Sequence, residues 1–144
     1  MKRDFKITVD QLEKTISDIF TEYGSECVEK TNKKIEEAAK RGRDILRDIS
    51  PVDDGAPSAG EYARSWNVTD LEPKRAKSPL AGFAIKGKVI YSKAPHYRLA
   101  HLLENGHKLW QGGNSPAIPH VSKAEDAVDD YLTTAVPAAI QGVD

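Results

Sequence analysis

Residues 94–124 read APHYRLAHLLENGHKLWQGGNSPAIPHVSKA. The pattern passes from helix to loop and back to helix within this stretch. Leu99, Leu102 and Leu103 recur at helical spacing, so 94–105 is expected to be a helix. Gly106 stands where the glycine that follows a helix end belongs. Residues 108–118 read as a Gly/Pro-bearing loop, with Ala117-Ile118 as its strand candidate. Ser122 and Glu125 have the spacing of a capping box. They open a last helix expected to run through about Val136 and to be ended by Pro137.

Upstream of this stretch, 83–91 (FAIKGKVIY) alternates Phe83, Ile85, Val89 and Tyr91, with Gly87 as a turn or bulge between them. Residues 64–71 (RSWNVTDL) place Trp66 and Val68 on one face of a short strand, and 72–82 is a polar connection. Two or three antiparallel strands are expected. Residues 51–60 (PVDDGAPSAG) hold two prolines and two glycines and read as loop. From Thr8 to about Ile49 apolar residues recur every three or four positions, from Val9 and Leu12 through Ile16, Ile19 and Tyr23 to Ile45 and Ile49. Thr8 with Gln11 fits a capping box, and Ile7 with Leu12 its hydrophobic staple. A helix of that length spans roughly 60 Å. Either it breaks, with Gly24 and Gly42 as candidates, or it projects and packs on a neighbouring subunit. The expected fold is α+β: a long N-terminal helix over 8–49, a loop over 50–61, and a core over 62–136. That core is a small antiparallel sheet with a short central helix and a C-terminal helix packed on it. Residues 137–144 form a short tail, and the whole chain, 1–144, is one domain.

The bulk numbers narrow the function. The 144 residues are 39% apolar and 30% charged, a globular composition. A net charge of −1 argues against general nucleic-acid binding. The single cysteine, Cys27, allows no internal disulfide and reads as a small core or interface residue. No apolar run is long enough to cross a membrane, and the basic start MKRDFKITVD has no apolar segment behind it to make a signal peptide. Charge is unevenly spread. Between Pro73 and Arg98 there are seven bases (Lys74, Arg75, Lys77, Lys86, Lys88, Lys93, Arg98) and no acid. From Val121 onward Glu125, Asp126, Asp129, Asp130 and Asp144 face Lys123 alone. A basic middle and an acidic end suit head-to-tail contacts between molecules; the competing reading is ordinary scatter of surface charge.

Four histidines invite a catalytic or metal reading. His101 and Glu104 are three apart on one helix face, His107 lies a turn further on, and His96 precedes them. A metal-dependent hydrolase using this set is one alternative. Against it, Gly106 ends the helix before His107, and neither an HExxH run nor paired cysteines are present. The competing reading has the histidines cap helix ends, bond backbone carbonyls and pack at a subunit contact. Asp53-Asp54-Gly55 lacks the rest of a calcium loop. Gly112-Gly113 lacks the Lys-Ser/Thr of a phosphate loop and is read as letting the loop flex. A nucleic-acid-binding accessory protein using the basic stretch beside Trp66, Phe83 and Tyr91 is the other alternative. Their strand spacing marks those aromatics as core.

Three pieces then fall in order: PVDDG followed by Tyr62-Ala63-Arg64-Ser65-Trp66, YRLAHLLENGH at 97–107, and PAIPHVSKAED at 116–126. Together they resemble the gene-product-ten-like family of siphophage and prophage proteins, the head–tail joining, neck or tail-completion components. The resemblance covers about residues 50–130; the N-terminal helix agrees in type only. Asp54 stands where that family usually has Thr, Ala56 to Glu61 form an insertion, and Lys123 replaces a common Pro. The resemblance implies a structural virion protein without a catalytic site or cofactor, made in the host bacterial cytoplasm and carried in the virion. Its expected partners are copies of itself in a ring and other neck and tail proteins, such as a connector or head-closure protein and the tail tube. DNA passes nearby without specific recognition, and no membrane is involved. The candidate assembly residues are Tyr97, His101, Glu104 and His107, then Leu109 and Trp110 on the loop, then Pro119 and His120. An apolar pair on a flexible loop suits an anchor into a neighbour; the competing reading has Trp110 fold back onto the core.

Overall fold

In the computed structural model, residues 9–71 and 85–142 are described, with side chains from Lys14 onward. The Thr8 capping box, the Ile7–Leu12 staple, Phe83 and the 72–82 connection lie outside them. The order is α1 (Val9–Ile49), α2 (Glu61–Arg64), β1 (Trp66–Asp70), β2 (Lys88–Ser92), α3 (Tyr97–Asn105) and α4 (Val121–Ile140). This is the expected α+β arrangement.

The long helix does not break. α1 runs 41 residues through both Gly24 and Gly42. Gly42 is retained for closeness of packing, since a Cβ there would lie 2.6 Å from Ile90 Cδ1 and 2.7 Å from Val128 Cγ2. α4 lies antiparallel to α1. Val128 sits over Gly42, the Tyr131 hydroxyl donates to Glu37 Oε2 at 2.7 Å, and Ala139 lines one cleft with Lys30, Lys33 and Lys34. α4 therefore ends beside Lys30, and α1 projects beyond it toward its N-terminus.

α1 stops at Ser50-Pro51 as expected, and its end is bonded to the sheet. The Ser50 hydroxyl donates to the Leu46 carbonyl and accepts from Trp66 Nε1–H at 2.9 Å. The Arg47 guanidinium donates to the Trp66 carbonyl at 2.8 and 3.1 Å. Buried polar groups are tolerated when paired in this way. β1 and β2 pair antiparallel from Trp66↔Ser92 to Asp70↔Lys88. They are the two strands among the described residues.

Four expectations are corrected. The β1 strand begins at Trp66, because Glu61 to Arg64 form a helical turn after Gly60 at φ 78°. In β2, Ile90 rather than Val89 or Tyr91 packs on the buried cluster. α4 runs through Pro137 to Ile140, past the expected stop and into the tail. Pro137 forfeits one backbone hydrogen bond without ending the helix. Ala117-Ile118 is not a strand; Ile118 N–H donates to the Leu103 carbonyl at 2.7 Å instead.

The core is Leu46, Tyr62, Trp66 and Ala124, with Ile45, Ile90, Ala100, Leu103 and Val121 packed around it. It thus joins α1, α2, the sheet, α3 and α4 at one point. Burying a large apolar side chain contributes about 1.5–3 kcal/mol, and Leu46, Tyr62 and Trp66 each do so at this junction.

Candidate assembly surface

The segment between α3 and α4 has a buried side and an exposed side. The buried side begins with Glu104, in the last turn of α3. Its Oε2 accepts the backbone N–H groups of His120 at 2.7 Å and Val121 at 2.8 Å, and its Oε1 that of Ser122 at 3.0 Å. A helix N-terminus leaves such groups unpaired and carries partial positive charge, so a carboxylate suits it on both counts. The expected Ser122–Glu125 capping box is therefore replaced by a cap from another helix. α4 begins at Val121, one residue too early for Ser122 to precede it, and the His120 side chain at its N-cap makes no capping bond. Burial pushes the Glu104 carboxyl upward, but the three backbone donors and the Ser122 hydroxyl outweigh it and hold it at about 2.

His120 is 1% exposed, the most buried large side chain among the described residues. Its Nδ1 lies 2.7 Å from the Ile118 carbonyl and 3.1 Å from Glu104 Oε2. A carbonyl only accepts, so Nδ1 carries a proton; in the neutral ring Nε2 then accepts from the Tyr62 hydroxyl, 2.7 Å away. Burial, and then the Glu104 charge, push Tyr62 up to about 12, which keeps its hydroxyl a donor. Tyr62, Trp66 and His120 meet edge to face, with ring centroids 5.7–6.5 Å apart. Within the chain, His120 and Glu104 act as internal supports, and His120 is too buried to serve as the contact residue expected of it. A side chain 1% exposed, with both ring nitrogens bonded inside, has nothing to offer a neighbour. Bonding to backbone carbonyls, expected of the histidines, holds for this one.

The exposed side is the stretch from His107 to Ser115. Ser115 Oγ accepts from His107 N–H at 3.0 Å and lies 2.8 Å from its Nδ1, and Ser115 N–H donates back to the His107 carbonyl at 2.8 Å. Lys108 and Asn114 form a β-bridge. Leu109 N–H donates to Gly113 O and Gly112 N–H to Leu109 O, each at 3.0 Å. Gly112 and Gly113 take φ 96° and 86°, values that glycine adopts without strain. These bonds shape the segment into a hairpin. At its tip Trp110 is 95% exposed and Leu109 41%. The Trp110 indole therefore makes almost no contact within its own chain. Tyr97 is half exposed, and His101, His107 and Pro119 are exposed.

The histidine–glutamate set does not converge. His96 Nε2 faces Glu61 Oε2 at 3.6 Å, His107 is engaged by Ser115, and Glu104 caps α4. Among the described residues no group of three or more His, Cys, Asp or Glu side chains is placed to hold a metal ion. Asp53 Oδ1 accepts from Gly55 N–H at 3.1 Å in a local turn. Of the basic stretch, Lys88 pairs with Asp70, while Lys74, Arg75 and Lys77 lie outside the described residues.

A second exposed surface follows from the projecting end of α1. Ile16, Ile19, Phe20 and Tyr23, at i, i+3, i+4 and i+7, are 44–70% exposed and form one apolar stripe. No helix among the described residues is long and apolar enough to cross a membrane. Comparison with known proteins finds no match to the chain among protein-family models, curated proteins or solved structures.

Proposed function

We propose that this chain is a structural virion protein of a tailed phage or prophage, assembling as a ring at the head–tail interface or the upper end of the tail and docking tail to head. The observation that carries the reading is the division of labour in residues 94–124. Glu104 and His120, with Tyr62 and Trp66, come from the three sequence pieces that resemble the phage neck family, and in this fold they support one another. Trp110 and Leu109 are displayed outward beside them on a hairpin whose bonds fix their position. Such a hairpin positions an anchor before contact, which lowers the ordering cost of assembly. The apolar stripe on the projecting part of α1 offers a further surface of the same kind.

The reading is tested by changing Leu109→Ala and Trp110→Ala together in the phage that encodes the protein. Both residues are exposed, so circular dichroism and melting temperature should stay within about 0.5 kcal/mol of the original stability. Tail attachment should be lost, giving filled heads and free tails. Infectious particles at normal yield would remove the anchor from the account.

A further inference from the structure

We propose that the Trp110 hairpin of one copy seats in an apolar cleft beside α4 of a second copy. The proposal rests on the assembly reading above and supplies its contact. The cleft lies between β2 and the first half of α4, about 430 Å³ in volume. Leu46, Trp66 and Ala124 form its floor, and Ile90, Val121 and Val128, all half-buried, form its sides. Sites that enclose small molecules run roughly 300–1,000 Å³, so an indole has room. Trp110 does not occupy this cleft in its own chain, since it is 95% exposed.

Charge selects the occupant. The cleft is rimmed by Glu125 and Asp129, and with Asp126 and Asp130 these give the outer face of α4 four exposed acids against Lys123. Lys88, at the β2 end, is paired with Asp70. The hairpin has the opposite character. Lys108, exposed, lies two residues before Trp110, residues 107–115 hold no acid, and the exposed Arg98 stands on α3 before them. The one acid between Lys93 and Val121 is Glu104, which the α4 backbone engages. A basic knob therefore meets an acidic rim, which fixes orientation and speeds encounter, while the buried indole supplies affinity. With one knob and one cleft per copy, the contact repeats head to tail and closes into a ring where the rotation allows.

The test is sedimentation velocity of the full chain over a range of concentrations, with tryptophan emission recorded in parallel. Trp66 is already buried but lines the cleft, so the blue shift is assigned to Trp110 by its loss in Trp110→Ala. Association is expected with that shift, and Trp110→Ala should weaken it roughly tenfold or more. Lys108→Glu should also weaken it, and mixing that variant with Glu125→Lys/Asp129→Lys should restore it. A protein that stays monomeric up to its solubility limit, or association unaffected by Trp110→Ala, overturns the proposal, as does a charge-reversed mixture that fails to associate. Should Trp110 be needed for tail attachment while the pure protein stays monomeric, the knob meets another virion protein and only this inference falls. Should the knob–cleft contact hold while particles form normally without the gene, only the function falls.

Discussion

His120→Ala is expected to lower stability by about 3 kcal/mol, a large share of the 5–15 kcal/mol typical of a domain. The change empties a site that is 1% exposed at the point where α1, α2, the sheet, α3 and α4 meet. It also leaves the Tyr62 hydroxyl without its acceptor and the Ile118 carbonyl without its side-chain donor. An unsatisfied buried polar group costs about 1–3 kcal/mol by itself. Tyr62→Phe alone should cost about 1 kcal/mol. The double variant Tyr62→Phe/His120→Ala should cost less than the two changes added, because the orphaned hydroxyl is gone. Urea unfolding followed by circular dichroism measures all three. A loss below about 1 kcal/mol for His120→Ala, or strict additivity, would show that the imidazole is not the link described.

The second large effect belongs to Glu104. Glu104→Gln should cost about 1–2 kcal/mol, because one of the two carboxylate oxygens that accept α4 backbone protons becomes an amide donor. The same carboxylate sets an acid dependence. Its folded value, about 2, lies below the ordinary 4.5. The stabilisation it provides is therefore fully present above about pH 4.5 and is lost as pH falls toward about 2. The native protein should lose roughly 2 kcal/mol across that window through this group, and Glu104→Gln should show a correspondingly shallower decline. Equal slopes for the two proteins would mean that the α4 cap is not what holds the carboxylate ionised.

Local pattern was legible where local physics decides. The three-to-four spacing along 9–49 gave α1, and Ser50-Pro51 gave its end. Gly24 and Gly42 looked like breaks because glycine weakens an isolated helix. Gly42 persists since tertiary contact with Ile90 and Val128 needs the missing Cβ. The β2 register was ambiguous for a different reason. Val89, Ile90 and Tyr91 are consecutive and all apolar, so alternation cannot say which faces inward, and a one-residue slip reverses every side chain. The α4 cap was hidden because a capping box is sought three residues away, whereas Glu104 acts from sixteen or more. His120 sits in a Pro-His-Val context that reads as surface; its burial depends on Tyr62, fifty-eight residues upstream. The exposed Leu109–Trp110 pair was legible as a candidate anchor. Its hairpin shape was not, because Ser115 and His107 close it through bonds no local motif encodes.

The most direct test of the account is to delete the gene from the phage or prophage that carries it, induce, and image the particles by electron microscopy. Mass spectrometry of purified wild-type virions would be run alongside. The protein is expected in wild-type particles, and DNA-filled heads should lie apart from tails in the deletion and be joined again when the gene is supplied in trans. Complete infectious virions from the deletion, or wild-type particles lacking the protein, would contradict it.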